Sequence, residues 1–215
     1  MSDEGETTMR LPMRPPTATR LLLIRHGEPE EDARGRCYGR LDVGLSPTGR
    51  FQAGAAAAAL ASEPVDAVYA SPRRRAVESA RFLADAHHLE VVVEDDFREI
   101  DFGRFEGRSY DEIAVEDPET YRAWMERPTE VTFPGGESYA EMRERVARAA
   151  RRVREAHAGR TVAIVAHGGT NRVLLAEALG VEAAGVFRFD QSFAAVNVVD
   201  YYPDFTLVRL LNGTF

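Results

Sequence analysis

The chain has 215 residues, 44% hydrophobic and 29% charged, with 35 acidic against 27 basic side chains and a formal net charge of −8. That size suits one domain with a full core, and the acidic balance argues against nucleic-acid or anionic-membrane binding while allowing a local cationic pocket for a small anion. The single cysteine, Cys37, excludes an internal disulfide and fits a reducing cytoplasm, and no apolar run approaches the roughly 20 residues of a membrane span.

The opening residues, MSDEGETTMRLPMRPPTATR, are rich in Pro, Thr and charge and lack the apolar stretch of a signal peptide. Residues 1–18 are therefore expected to form a flexible tail, followed by a single domain over 19–215 in a cytoplasmic protein. Residues 21–24 (LLLI) read as a buried strand. Ser46 and Pro47 form a cap-plus-proline helix start, and the Ala-rich stretch that follows runs to about residue 62. Residues 65–70 predict a second strand. Ser71-Pro72 repeats the cap-plus-proline signal and predicts a helix to about residue 87. Residues 91–93 predict a short strand.

Residues 94–137 are irregular, with several Gly and Pro residues and short helices near 109–116 and 118–126. Compact domains seldom keep so long a segment without a use. Ser138 and Glu141 form a capping box. Tyr139, Met142, Val146, Ala149 and Val153 then recur at helical spacing. Residues 161–166 predict a strand, with a helix behind Gly168-Gly169 to about residue 179. Strands at 194–199 and 206–211 close the chain. Strand–helix alternation predicts an α/β fold, a three-layer α/β/α sandwich with a mostly parallel central sheet.

Three of these strands end in polar or cationic residues: Arg25-His26-Gly27, Ser71-Pro72-Arg73-Arg74-Arg75 and His167-Gly168-Gly169. Ligands of parallel α/β sheets bind beyond the carboxyl ends of the strands. If these strands are neighbours, two histidines and at least two arginines meet there. Arginine forks suit phosphate oxygens, a histidine can act as nucleophile, and a glycine behind each histidine admits a ligand to the backbone. Of the three consecutive arginines, which fan out by about 100° per residue on a helix, only one can face such a site. Arg75 pairing with Glu78 is the alternative to a ligand role. His87, His88 and His157 read as solvated surface.

RHGE after an aliphatic strand resembles the signature of the histidine phosphatase superfamily, the phosphoglycerate mutase-like family. GRCYGRLDVGLSPTGRFQA, SPRRRAVESA, REIDFGRFEG, FPGGES and AHGG resemble its further segments in order, over roughly residues 20–212. The resemblance implies the phosphoglycerate mutase-like fold and a phosphohistidine mechanism. His26 would be the nucleophile, Arg25, Arg75 and His167 would hold the phosphoryl oxygens, and Glu99 would be the acid, with Glu28 a rival. Gly168, Glu28 and Tyr38 join Arg25 and Arg75 as substrate-binding candidates. No metal and no cofactor is implied, and Cys37 resembles a loop residue rather than a nucleophile.

The chain departs from the family pattern at Pro29 and Asp32, where many members carry Thr or Ser and a phosphate-binding Asn. The reading favoured is a phosphatase of the phosphoric monoester hydrolase class, acting on a small phosphorylated metabolite without nucleic-acid or membrane partners and compatible with a homodimer. The GRCYGRLD loop is similar to that of α-ribazole phosphatases and of broad-specificity members. A mutase-type phosphoryl transferase and a catalytically inert phosphate-binding module are the alternatives. Tyr110, Tyr121, Trp124, Phe105 and Phe133 are candidates for an apolar substrate cap within 94–137, or for that segment's own small core.

Overall fold

The computed structural model describes residues 13–15 and 17–215. Most of the expected N-terminal tail lies outside the described residues; Ala18 is already fully buried. Among the described residues six strands form one sheet, β1 (Thr19–Arg25), β2 (Ala67–Ala70), β3 (Val91–Val93), β4 (Thr161–Ala166), β5 (Val196–Tyr201) and β6 (Thr206–Gly213), in the order β3-β2-β4-β1-β5-β6. The β2–β3, β2–β4 and β1–β4 ladders are parallel, and β5 runs antiparallel to both its neighbours. Six α-helices accompany them among the described residues: α1 (Pro47–Ala59), α2 (Arg74–Ala86), α3 (Tyr110–Glu116), α4 (Pro118–Glu126), α5 (Tyr139–Ala156) and α6 (Gly168–Leu179).

The unbroken LLLI run follows from covering both faces of the sheet. Successive side chains of a strand point to opposite faces, so a doubly covered strand has no polar alternation. Leu21 and Leu23 pack into one core with α5 and α6, and Leu22 and Ile24 into a second core with α1 and α2. A third, smaller cluster joins Cys37 to the 94–137 segment, around Phe105, Ile113, Trp124 and Phe133. Phe105 belongs to this cluster and Tyr121 packs against it, so these two cap candidates serve as local core.

Helix starts follow the capping rules except at α2 and α6, whose cap residues Arg73 and His167 make no side-chain cap bond. Ser46 accepts the Gly49 N–H ahead of α1, and Ser138 and Glu141 form the predicted capping box of α5. The α2 start is corrected. Ser71 is not its N-cap; the helix begins at Arg74 with Arg73 as the cap residue. Ser71 continues the β2 line instead, donating its N–H to Val165 O (3.0 Å), and its hydroxyl is engaged by a histidine side chain.

Across the strands, Arg20 of β1 forms a bidentate pair with Asp200 of β5 (2.7 and 3.0 Å). Arg209 of β6 adds a third bond to the same carboxylate (3.0 Å). Burial opposes the charge on Asp200, but the arginine hydrogen bonds outweigh it and hold the carboxyl below its usual range. Removing one member of a buried pair strands the other charge. Asp200→Ala is expected to lower the unfolding free energy by about 3–5 kcal/mol, measured by urea denaturation; a loss under about 1 kcal/mol, typical of exposed pairs, would show that this pairing is not structural.

Candidate active site

The sheet order brings the three chemistry-bearing strand ends together. Arg25 of β1 pairs in register with Ala166 of β4, so His26 and His167 leave the sheet side by side. Their ring centroids are 5.2 Å apart. Ser71, at the end of β2 on the other side of β4, meets the second histidine: His167 Nε2 and Ser71 Oγ are 2.7 Å apart. The loop before antiparallel β5 closes the other flank. There Ala194 donates its N–H to His26 O (3.1 Å), Gln191 O accepts from Arg25 Nη1, and Phe193 lies beneath the Arg25 guanidinium (4.0 Å).

Local bonding fixes which imidazole atoms are available. His26 Nδ1 lies 2.6 Å from Gly27 O. A carbonyl can only accept, so Nδ1 carries the proton and Nε2 keeps its lone pair. His26 is buried and lines a cavity of about 150 Å³ together with Arg25, Arg75, Glu99, His167 and Tyr38. The Ser71 hydroxyl is able to donate to or accept from His167 Nε2, and His167 Nδ1 is buried without a partner. Arg25 Nε and Arg75 Nε are likewise buried and unpartnered. Buried donors are almost always satisfied, and arginine N–H groups lining one cavity are suited to an anionic partner.

Electrostatics agree with geometry. Burial, then the charges of Arg75 and Arg25, holds His26 well below the ordinary histidine pKa. Burial, Arg75 and the neighbouring His26 do the same to His167. Both rings are thus neutral at neutral pH. Burial lowers Arg75 to about 10, still protonated at pH 7. Its Nη atoms donate to Leu41 O (2.8 Å) and Gly39 O (3.1 Å), and its guanidinium lies 5.0 Å from the Tyr38 ring. Burial, with Glu106 nearby, pushes the Cys37 thiol up to about 12, which keeps it a thiol.

Glu99 is held by backbone donors. Its two carboxyl oxygens accept from Gly169 N (2.9 Å) and Ile100 N (3.0 Å), and a Cβ on Gly169 would meet the end of that side chain. The loop before it is clamped by Arg145 of α5. That guanidinium donates to Asp96 O and Arg98 O (2.8 Å each) and Glu99 O (3.1 Å), and binds both oxygens of Glu137 (2.6 and 2.7 Å). Nothing in the motif reading pointed to Arg145, a basic residue on the buried stripe of a helix.

Other expected positions fall elsewhere. Glu28 is not in the cavity: its Oε1 takes Arg34 (2.7 Å) and Ser46 Oγ (2.9 Å), and those bonds hold it below the usual carboxylate range. Its backbone lies against α1, where a Cβ on Gly49 would strike the Glu28 carbonyl. Asp32 sits exposed on a 3-10 turn over Glu31–Ala33, outside the cavity lining. Arg74, not Arg75, pairs with Glu78 (2.7 Å). His157 is not simply solvated; its Nε2 is 3.0 Å from Tyr69 Oη. Gly168 opens α6 and lines a second cavity of about 220 Å³ that adjoins the first, sharing Arg25, Glu99, Phe102 and Tyr110. Among the described residues no cluster of three or more His, Cys, Asp or Glu is placed to hold a metal ion, and no helix is long and apolar enough to cross a membrane.

Fold and site define a doubly covered α/β protein with a cationic, histidine-lined pocket at the strand carboxyl ends. Residues 21–214 match the histidine phosphatase superfamily, branch 1, and the chain belongs to that family. A bifunctional protein of Mycobacterium tuberculosis is 40% identical over 200 residues, which are 92% of this chain and 55% of that protein; the chain thus spans about half the length of this relative. Phosphoserine phosphatase 1 of Hydrogenobacter thermophilus is 36% identical over 195 residues, covering 91% of this chain and 92% of that one. The crystal structure of α-ribazole phosphatase from Shigella flexneri superposes with a TM-score of 0.82 at 30% identity, covering 90% of this chain and 96% of the other.

An anion in the pocket offsets the arginine charges that depress both histidines. In the free protein the two rings are expected to titrate well below pH 6.5, and on addition of inorganic phosphate their midpoints should move up. NMR titration of the histidine ring protons, assigned with His26→Ala and His167→Ala, reads this directly; midpoints at or above 6.5 without phosphate would contradict the buried, arginine-flanked geometry.

Proposed function

We propose that this protein is a metal-independent phosphatase that hydrolyses small phosphomonoesters through a phosphohistidine on His26. The observation that carries the reading is the His26 Nδ1–Gly27 carbonyl bond (2.6 Å), which leaves Nε2 unprotonated beside Arg25, Arg75, Glu99 and His167. Membership of the superfamily and the phosphatases among its relatives support it. The substrate is a small phosphorylated metabolite, and a cytoplasmic setting fits the single buried thiol.

In the first step His26 Nε2 attacks phosphorus, the N–P bond forms, and the P–O bond to the alcohol breaks. The leaving oxygen takes a proton from Glu99. Arg25, Arg75 and His167 Nδ1 hold the three equatorial oxygens, where charge gathers in phosphoryl transfer. In the second step Glu99, now a carboxylate, accepts a proton from water as its oxygen attacks phosphorus. The N–P bond breaks, inorganic phosphate leaves, and both groups return to their starting states.

Hydrolysis of p-nitrophenyl phosphate in the presence of EDTA tests the reading. His26→Ala is expected to lower turnover about a thousandfold or more. Rapid quench should trap phosphate on histidine, stable in alkali and lost in acid. Label on serine or cysteine, or activity abolished by EDTA, would overturn the mechanism. Interconversion of 3- and 2-phosphoglycerate without net phosphate release would identify a mutase, and no turnover of any phosphomonoester would identify a binding module.

A further inference from the structure

The larger of the two adjoining cavities is where the alcohol of a bound phosphomonoester would lie. Its walls are mostly apolar, with Ile100, Trp124, Phe133, Met142, Val186 and Phe187 among them. Three charged side chains reach it: Arg25, Glu99 and Arg172. Arg25 also lines the histidine cavity, and both oxygens of Glu99 are taken by backbone N–H groups. Arg172, on the first turns of α6, enters only the alcohol cavity. The phosphate chemistry derived above does not use it.

We propose that Arg172 is a specificity-determining residue that binds a carboxylate on the leaving alcohol, so that the preferred substrates are compact phosphomonoesters of carboxylate-bearing alcohols. This rests on the phosphatase reading. The Arg172 side chain is only 18% exposed. Its Nε donates to Phe189 O (3.3 Å). The nearest acid is Asp190, whose Oδ1 lies 3.7 Å from Nη2, beyond hydrogen-bonding distance. That oxygen already accepts the Gln191 N–H at 2.7 Å, and the Asp190 side chain is 78% exposed. The guanidinium, which lies 5.4 Å from the Phe187 ring, thus has only a long ion pair with a water-exposed carboxylate as its acidic partner among the described residues.

Two guanidiniums converge on one glycine. From the point where a Cβ on Gly168 would sit, Arg172 Nη1 is 3.1 Å away and Arg25 Nε 3.5 Å. Burial and the charge of Arg25 lower the pKa of Arg172, the expected response of one cation held near another out of water. An anionic group beside the ester relieves that repulsion, and the planar fork suits a carboxylate. The cavity volume, about 220 Å³, suits an alcohol of a few carbons, since drug-sized pockets start at about 300 Å³.

The matched pair 3-phosphoglycerate and glycerol 3-phosphate differs at one carbon, a carboxylate against a hydroxymethyl group. The wild-type protein is expected to favour the carboxylate ester by about tenfold or more in kcat/KM, the scale of a charge-assisted hydrogen bond. Arg172→Gln should bring that ratio close to one, chiefly by raising KM for 3-phosphoglycerate, and Arg172→Lys should restore part of it. A wild-type ratio near one overturns the proposal whatever the variants do. So does a ratio that survives Arg172→Gln, or an equal loss toward both esters, which would make Arg172 a phosphate-holding residue. If the wild-type protein hydrolyses neither these esters nor p-nitrophenyl phosphate, the phosphatase reading itself fails; hydrolysis of p-nitrophenyl phosphate without the carboxylate preference sinks only the assignment of Arg172.

Discussion

The site depends on one parallel ladder. β1 and β4 pair with Arg25 opposite Ala166, and each chain turns out of the sheet at the next residue, a histidine. A one-residue slip would send alternate side chains to the opposite face and would also part the two rings. The slip is costly because both faces of β1 are buried, Leu21 and Leu23 on one side and Leu22 and Ile24 on the other. Hydrophobic packing in the centre of the molecule thus sets a 5.2 Å relation between two imidazoles at its edge.

On this frame the site holds its charge in an unusual balance. Two arginines face a pocket whose histidines are kept neutral by burial and by those same arginines. Such an arrangement is a poor resting place for protons and a good one for a dianion. The energy needed to bury the guanidiniums is supplied by the fold. It is partly recovered through carbonyl acceptors, Leu41 and Gly39 for Arg75 and Gln191 for Arg25. Those acceptors take the Nη atoms and leave the Nε atoms free. A pocket built this way is organised before its ligand arrives, which reduces reorganisation during the reaction.

Much of this was legible in the sequence, and the physical reason differs from place to place. The strands at 91–93 and 161–166 and the capping box at Ser138 were readable because short-range rules govern them. The meeting of His26 and His167 was readable from strand ends with similar chemistry, whereas Arg75 was singled out of three consecutive arginines only by the family resemblance. Ser71-Pro72 misled because a serine before a proline at a strand end has two possible uses, and the bond to His167 took precedence over capping. Glu28 was indistinguishable from an acid in the site because its partners, Arg34 and Ser46, are chosen by the fold of the loop. Phe193, Gln191 and Arg172 carry no local signal. They reach the site only because β5 runs antiparallel to β1 and because α6 begins beside the cavity.

Arg145 gives the irregular segment a property of its own. One guanidinium joins the backbone oxygens of residues 96, 98 and 99 to the carboxylate of Glu137, so the two feet of the 94–137 stretch are stapled to the same helix. What lies between is a loop closed at its neck. The entropy of such a loop grows only with the logarithm of its length, and changes beyond the staple need not reach Glu99. The segment can therefore gain, lose or exchange residues as a cassette while the acid keeps its place. Under the proposed function, this separates the part of the molecule that would meet different alcohols from the part that would handle phosphorus.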